Sequence, residues 1–244
     1  MLHIFLGLPY IHGEDFLLQL ELRGIARLHP HVPIRAKPVT PQILQLFHDH
    51  MNNTSLHLAV WSCSLVLFYT MARLGSILPA SHSSRSSEFL TNDRINFCTE
   101  GLIITLTHTK TIQFGRRRLH IPLLRVNSIL CPVRAFTQIA GLSEVSSHTP
   151  AFIFREKGKN KWLTSSIFIR TFRAVMTAGG LVASDFTGHS FRRGGATWAF
   201  QSGISGELIQ ICGDWASDAY KRYLEFSTQN KLDLAALLTR DLPC

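Results

Sequence analysis

The side chains able to do chemistry gather toward the C-terminal end of the sequence. His189 and Arg192 stand three residues apart, one turn if the segment is helical. Trp215 follows Gly213-Asp214, and Tyr220 and Tyr223 are again three apart in Tyr-Lys-Arg-Tyr. Far upstream stand two further cations, Arg73 in Met71-Ala72-Arg73-Leu74-Gly75-Ser76-Ile77-Leu78 and Lys110 in Thr109-Lys110-Thr111. Suppose that the substrate is a phosphodiester. Attack on phosphorus builds negative charge on the non-bridging oxygens, and two guanidiniums, always charged and forked to match phosphate, can neutralise it. Arg73 and Arg192 come from distant segments, so folding can set them on opposite sides of one phosphate. His189 can bond that phosphate and assist the nucleophile's proton transfer. A tyrosine phenolate can attack phosphorus and hold it covalently. The Trp215 indole N–H can donate a hydrogen bond but cannot shuttle a proton. Taken singly, each residue has a plainer reading: Arg73 as a helix C-terminal cation, Lys110 as a solvated loop residue, either tyrosine as half-buried core.

The elements that must position these residues are legible in part. Gly203 and Gly213 read as helix stops, and Ser205 as the N-cap of the short amphipathic run between them. Three short helices with tight turns would then carry His189, Arg192, Trp215 and the tyrosines around one concave site. Thr40-Pro41 opens a helix with Ile43, Leu44 and Phe47 on its apolar side. Leu56–Ala72 reads as a buried helix. It carries His57, Ser62 and Ser64 and is shorter than the ~20 residues that span a membrane. Ser81–Ser87 is a polar loop. Gly101–His108 alternates like a strand, a turn falls around Phe114-Gly115, and Arg116–Leu124 reads as the return strand. Cys131–Ala140 is a helix stopped by Gly141, and Ala151–Phe154 a short strand. Glu156–Lys161 is a basic loop, either solvated or on DNA. Thr164 caps a helix over Ser165–Ala178, ended by Gly179-Gly180, whose stripe of Ile167, Phe168, Phe172 and Val175 reads as core. Asn230–Leu238 is a final amphipathic helix.

The ordered set His-Ser-Phe-Arg, then Gly-Asp-Trp, then the Tyr of Lys-Arg-Tyr-Leu resembles the C-terminal half of the tyrosine recombinase (phage integrase) catalytic domain. The wording Thr-Gly-His-Ser-Phe-Arg-Arg-Gly-Gly-Ala-Thr-Trp-Ala-Phe-Gln-Ser-Gly-Ile is similar to recombinases of eukaryotic mobile elements, the Crypton and DIRS-like group. The resemblance covers about residues 38–244. It implies an α+β fold, mainly α-helical with a small antiparallel β-sheet. It also implies the catalytic set Arg73, Lys110, His189, Arg192, Trp215 and Tyr223. Arg73 matches the family's first arginine, and Lys110 its hairpin lysine, which gives a proton to the departing 5′ oxygen. Trp215 stands where many relatives have a second His and some have Trp. Tyr223 is the nucleophile, since relatives place it last in the motif, with Tyr220 as its competitor. Ser76 stands where the family has a supporting Glu or Asp.

On this resemblance residues 1–36 read as the remnant of an N-terminal core-binding domain plus linker, and 37–244 as the catalytic domain. Glu14–Leu28 forms one helix with Gly24 inside it, and the prolines at 30, 33 and 38 mark the linker. In relatives the C-terminal helix docks onto a neighbouring protomer of a tetramer on synapsed DNA; packing on its own domain is the alternative.

The formal charge of +9, with pI near 9.7, favours a polyanionic partner, double-stranded DNA above all. Arg116, Arg117, Arg118, Lys157, Lys159, Lys161 and Arg193 are the candidate DNA contacts, reading as phosphate-binding or solvated. The five cysteines are scattered without a C-x-x-C pair, which argues for a reducing compartment, no zinc site, and burial of most of them as small apolar residues. No metal cluster is visible, and no cofactor is expected. The N-terminus lacks a basic region and a clear cleavage site, so no signal peptide is expected. Action in the nucleus follows from the mobile-element resemblance alone. Three functions stand: a recombinase or integrase, an inactive DNA-binding remnant, and a topoisomerase that reseals one duplex.

Overall fold

The computed structural model describes residues 16–28, 36–112, 117–142 and 146–224, with Thr228, Leu232 and Ala236 as single positions beyond. The prolines at 30 and 33, the turn at Phe114-Gly115, Arg116 and most of the 230–238 helix lie outside these residues. The chain divides into two compact units at Arg35/Ala36. In the first, α1 (Phe16–Leu28) is a helix with Gly24 inside it.

The second unit is organised around one apolar helix. In α3 (Ser55–Thr70) nearly every residue from Ala59 onward is buried. A helix apolar on all sides must be covered on all sides. Its neighbours are α2 (Pro41–His50), α5 (Pro132–Ala140), α6 (Ser165–Ala178), α7 (Gly188–Gln201) and the strand β4 (Ile153–Glu156). Two of its polar side chains are satisfied without leaving the helix. Ser64 Oγ donates to Val60 O at 2.8 Å and Thr70 Oγ1 to Val66 O at 2.7 Å. Against α2 and α6 the core is aromatic: Phe172 lies 5.3 Å from Phe47 and 4.8 Å from Phe191 of α7, ring centre to ring centre.

The helix starts follow their caps. Thr40, Thr54, Thr164 and Ser205 each accept the backbone N–H of the third residue on, and Thr187 shares a reciprocal capping box with Ser190. A short helix, α4 (Leu74–Ile77), follows α3, and α8 (Gly206–Cys212) follows α7. The tyrosine segment, Asp218–Tyr223, is a 3-10 helix.

The strands β1 (Ile95–Phe97), β2 (Gly101–Leu106) and β3 (Leu119–Leu124) form an antiparallel sheet in that order. Ile104 faces Ile121 and Leu102 faces Leu123, burying one side. The return strand is shorter than its sequence pattern: Arg117 and Arg118 precede it in irregular chain. The basic stretch Glu156–Lys161, read from sequence as a loop, is instead half of a hairpin. Strand β4 pairs with β5 (Lys159–Trp162) across the two-residue turn Lys157-Gly158. Both turn residues have positive φ, 49° and 78°, the left-handed geometry that suits a right-twisted hairpin. Among the described residues no helix is long and apolar enough to cross a membrane. Of the four described cysteines, Cys63 and Cys131 are buried, whereas Cys98 and Cys212 are exposed, against the expectation that most are buried.

Candidate active site

Helix α7 begins at its capping box, which fixes the phase of everything after it. His189 falls in the first turn and Arg192 one turn later on the same face. Arg192 must then reach the end of α3, and Gly195 lets it. A Cβ on Gly195 would stand 2.1 Å from Phe68 O, so a larger residue there would hold the two helices apart. Where α3 ends, Met71 takes a left-handed conformation (φ 51°), and its carbonyl accepts a hydrogen bond from Arg192 Nη1. Arg192 is 2 % exposed, and its guanidinium carbon lies over the Trp215 ring, 3.7 Å from its centre. A desolvated cation–π contact of this kind contributes about 2 kcal/mol. Trp215 can fold back beneath it because residue 213 is glycine: a Cβ there would sit 1.7 Å from the indole.

Burial, and then the charge of Arg73, push the pKa of Arg192 down to about 9, while Tyr223 and Asp214 draw it back up. The guanidinium stays protonated at neutral pH, yet its Nη2 is buried without a hydrogen-bond partner. A buried donor left unpaired is costly unless something arrives to accept from it. It borders a pocket of about 10 Å³ lined also by Arg73, Ser76, Thr109, Cys212 and Asp214. Arg73 caps α4 instead of ending a helix, and is half-buried. The pocket therefore gathers two cations from segments 119 residues apart in sequence, with one carboxylate.

His189, beside the buried Arg192, is exposed. Partial desolvation, then Arg192 and Arg73, hold its pKa below the ordinary imidazole value, so it is neutral at pH 7. The two tyrosines differ sharply. Tyr220 is 4 % exposed and packs on Trp215 and the first turn of α8. Tyr223 is half-buried, its ring 5.8 Å from that of Trp215 and its backbone carbonyl bonded by Thr197 Oγ1. Its position is felt by Arg192 as a charge.

Lys110 is exposed in the β2–β3 connection, beside Thr109, which lines the pocket. The sequence pattern did not single out what holds it there. Asp214 accepts from Thr109 Oγ1 at 2.6 Å and also from Thr111 Oγ1 and Arg117 Nη2. A contact between residues about a hundred positions apart leaves no local pattern. The cue available was a short carboxylate before Trp215 and two hydroxyls flanking the lysine.

The candidate DNA contacts scatter. Arg117 is ion-paired with Asp214. Arg193 Nη1 donates to Ala36 O at 2.8 Å, tying α7 to the chain before α2. Arg118 is exposed and lines a surface groove of about 430 Å³ with Asp93, Arg94, Asn96, Thr105 and His120. Lys157, Lys159 and Lys161 are exposed on the β4–β5 hairpin, where Lys161 pairs with Glu156. That hairpin is bonded to Ser55 at the start of α3, whereas Arg73 follows its end. Sixteen helical residues separate Ser55 from the end of α3, and none of the three lysines is among the residues lining the pocket.

No protein-family model and no curated protein matches the sequence. Solved structures match in fold at low identity. They include the XerH site-specific recombinase bound to its difH substrate (TM-score 0.56, 15 % identical over 83 % of this chain and 53 % of that one). The XerA recombinase gives 0.59 and 16 %, covering 89 % and 69 %. The Tn1549 transposon integrase in complex with circular intermediate DNA gives 0.55 and 13 %, covering 84 % and 66 %. The chain spans about half the length of the XerH chain.

Proposed function

We propose that this chain, whose fold is that of a tyrosine recombinase catalytic domain, cuts and rejoins double-stranded DNA through a covalent 3′-phosphotyrosine. The observation that carries the reading is Arg192: buried, seated on Trp215, with one donor nitrogen unpaired, sharing its pocket with Arg73 and its field with Tyr223. A phosphate is the group that such a pair of guanidiniums accepts. The DNA-bound state of the matching XerH and Tn1549 proteins supports duplex DNA as the partner.

In the first step Tyr223 Oη attacks phosphorus, and the P–O5′ bond breaks as the P–Oη bond forms. The phenol proton passes to His189, which is neutral at pH 7 and so free to take it. Lys110 gives a proton to the departing 5′ oxygen. Arg73 and Arg192 hold the non-bridging oxygens as their charge grows. The phosphodiester energy stays in the phosphotyrosine bond, so a 5′ hydroxyl from another strand can run the step backwards and join DNA in a new combination. Tyr223 is favoured over Tyr220 because Tyr220 is sealed in the core. Arg118 and the lysines at 157, 159 and 161 contact phosphates outside the scissile step. A tetramer on synapsed DNA, a mobile element of the Crypton or DIRS-like kind and action in the nucleus complete the proposal.

The test is a suicide substrate: nicked duplex from the DNA flanking the chain's own gene, assayed for a denaturation-resistant adduct. The adduct is expected with the unaltered chain and with Tyr220→Phe, and lost with Tyr223→Phe while DNA binding persists. An adduct that survives Tyr223→Phe refutes the nucleophile. One feature favours a second reading, a DNA-binding module without chemistry: Ser76, which lines the pocket uncharged where the family carries an acid. Salt-sensitive binding with no adduct would support it.

A further inference from the structure

We infer that Asp214 is the positioning residue for the acid of this reaction, a clamp that seats Lys110 by tying both sides of the β2–β3 connection to the turn bearing Trp215. The inference rests on the proposed function for the role of Lys110; the clamp itself rests on geometry. Asp214 Oδ2 accepts from the hydroxyls of Thr109 and Thr111, the two neighbours of Lys110. Asp214 Oδ1 accepts from Arg117 Nη2, on the returning side of the connection. Thr111 Oγ1 also reaches the Asp214 carbonyl at 3.4 Å. Thr109 Oγ1 in turn accepts the N–H of Ile112 at 2.9 Å and of Thr111 at 3.2 Å. The segment around Lys110 is thus folded on a hydroxyl that is itself pinned to the carboxylate.

The clamp is built into an unfavourable backbone. Asp214 has φ 57°, left-handed, and its side chain is only 5 % exposed. Aspartate tolerates that conformation better than most residues, but a buried carboxylate persists only with partners. Here it has three side-chain donors. Burial works to raise the Asp214 pKa, but the Thr109 and Thr111 hydroxyls and Arg117 outweigh it and hold the pKa below the ordinary value. It therefore stays ionised at neutral pH and serves all three donors as an acceptor. Asp214 is the one carboxylate among the residues lining the arginine pocket, where Ser76 contributes none. Its next residue is the platform of Arg192. One side chain thus sets the acid relative to the phosphate site.

A misplacement of about 1 Å in a reacting group costs on the order of 100-fold in rate. Asp214→Asn keeps the shape and the tolerance for positive φ but removes the charge. Two nicked duplexes distinguish the role, identical except that sulfur replaces the bridging 5′ oxygen in one. A thiolate leaves without a proton, since its conjugate acid has a pKa of about 8.5, so the sulfur substrate needs no acid. In single-turnover cleavage Asp214→Asn is expected to be slowed about 100-fold on the oxygen substrate. On the sulfur substrate it should run within a few-fold of the unaltered chain, as Lys110→Ala does. Equal slowing on both substrates, or no slowing on either, overturns the assignment. Thr111→Val, which removes one donor from a half-buried position, should show the same selectivity more weakly and serves if Asp214→Asn does not fold. Should the unaltered chain form no adduct on either substrate, the proposed function fails. The clamp is then read by hydrogen exchange of the whole chain. Amides of 107–112 should exchange at least tenfold faster in Asp214→Asn while α3 is unchanged, and unaltered exchange overturns the clamp.

Discussion

Arg192 is protonated, 2 % exposed and only partly satisfied, so the pocket around it stores an electrostatic imbalance that an anion would relieve. His189 feels the same imbalance. Desolvation and two nearby cations disfavour its charged form, so its folded pKa lies below the ordinary value of about 6.5. The sign follows: His189 is the free base above that lowered pKa and is lost as a base only when pH falls through it. At sub-saturating DNA, where the rate reports the free protein, adduct formation should decline as pH falls from 7, with a midpoint below about 6.5. His189→Gln should abolish that decline and slow the reaction by on the order of 10²- to 10⁴-fold. A decline centred above 6.5 would remove His189 from the role. At this scale His-x-x-Arg, Gly-Asp-Trp and the tyrosine pair were legible because they are local patterns, and the structure stacks Arg192 on Trp215 and lines one pocket with Arg73 and Arg192. The sequence did not show that Tyr220 is sealed and Tyr223 half-open, or that Arg117 and Arg193 are turned to Asp214 and Ala36, since burial and long-range pairing leave no spacing signal.

Elements bring these residues together through close backbone approach. Alanine at 195 would ordinarily favour a helix by about 1 kcal/mol over glycine. Here its Cβ meets Phe68 O at 2.1 Å, and overpacking of this kind costs roughly 1–3 kcal/mol. The steric term wins, so Gly195→Ala should lower stability to urea. It should also weaken adduct formation beyond the stability loss, because α7 moves Arg192 off Met71 O. Gly141→Ala is the control, since nothing lies within 4 Å of the added atom; it should be neutral or slightly stabilising. The helices opened by Thr40-Pro41, Cys131-Pro132 and Thr164 were legible because a cap is chemistry between near neighbours. Strand β1 was not, being three residues long, and β5 was hidden by its lysines. Their pairing is set by partners, not by an alternating pattern of their own.

For the whole molecule the charge of +9 sets the terms of association. Binding through phosphates releases counterions, so the logarithm of affinity should fall linearly with the logarithm of salt. Six to ten phosphate contacts would cost roughly 10³- to 10⁵-fold between about 50 and 200 mM salt. A flat salt response, measured by fluorescence anisotropy on duplex DNA, would remove DNA as the partner. The α+β class was legible through the resemblance to the tyrosine recombinase catalytic domain, carried by the local motifs at the C-terminal end, and the helices and small antiparallel sheets observed match it. The central place of α3 has a further consequence, in time. Its last companion, α7, ends about 130 residues after it. At roughly 5–20 residues per second a ribosome needs about seven to twenty-five seconds to deliver that cover. Throughout this interval a helix apolar on every side waits without its full coat, exposed to self-association. Nascent chains halted before Gly188 should therefore bind holdase chaperones or precipitate, and those released after Gln201 should not.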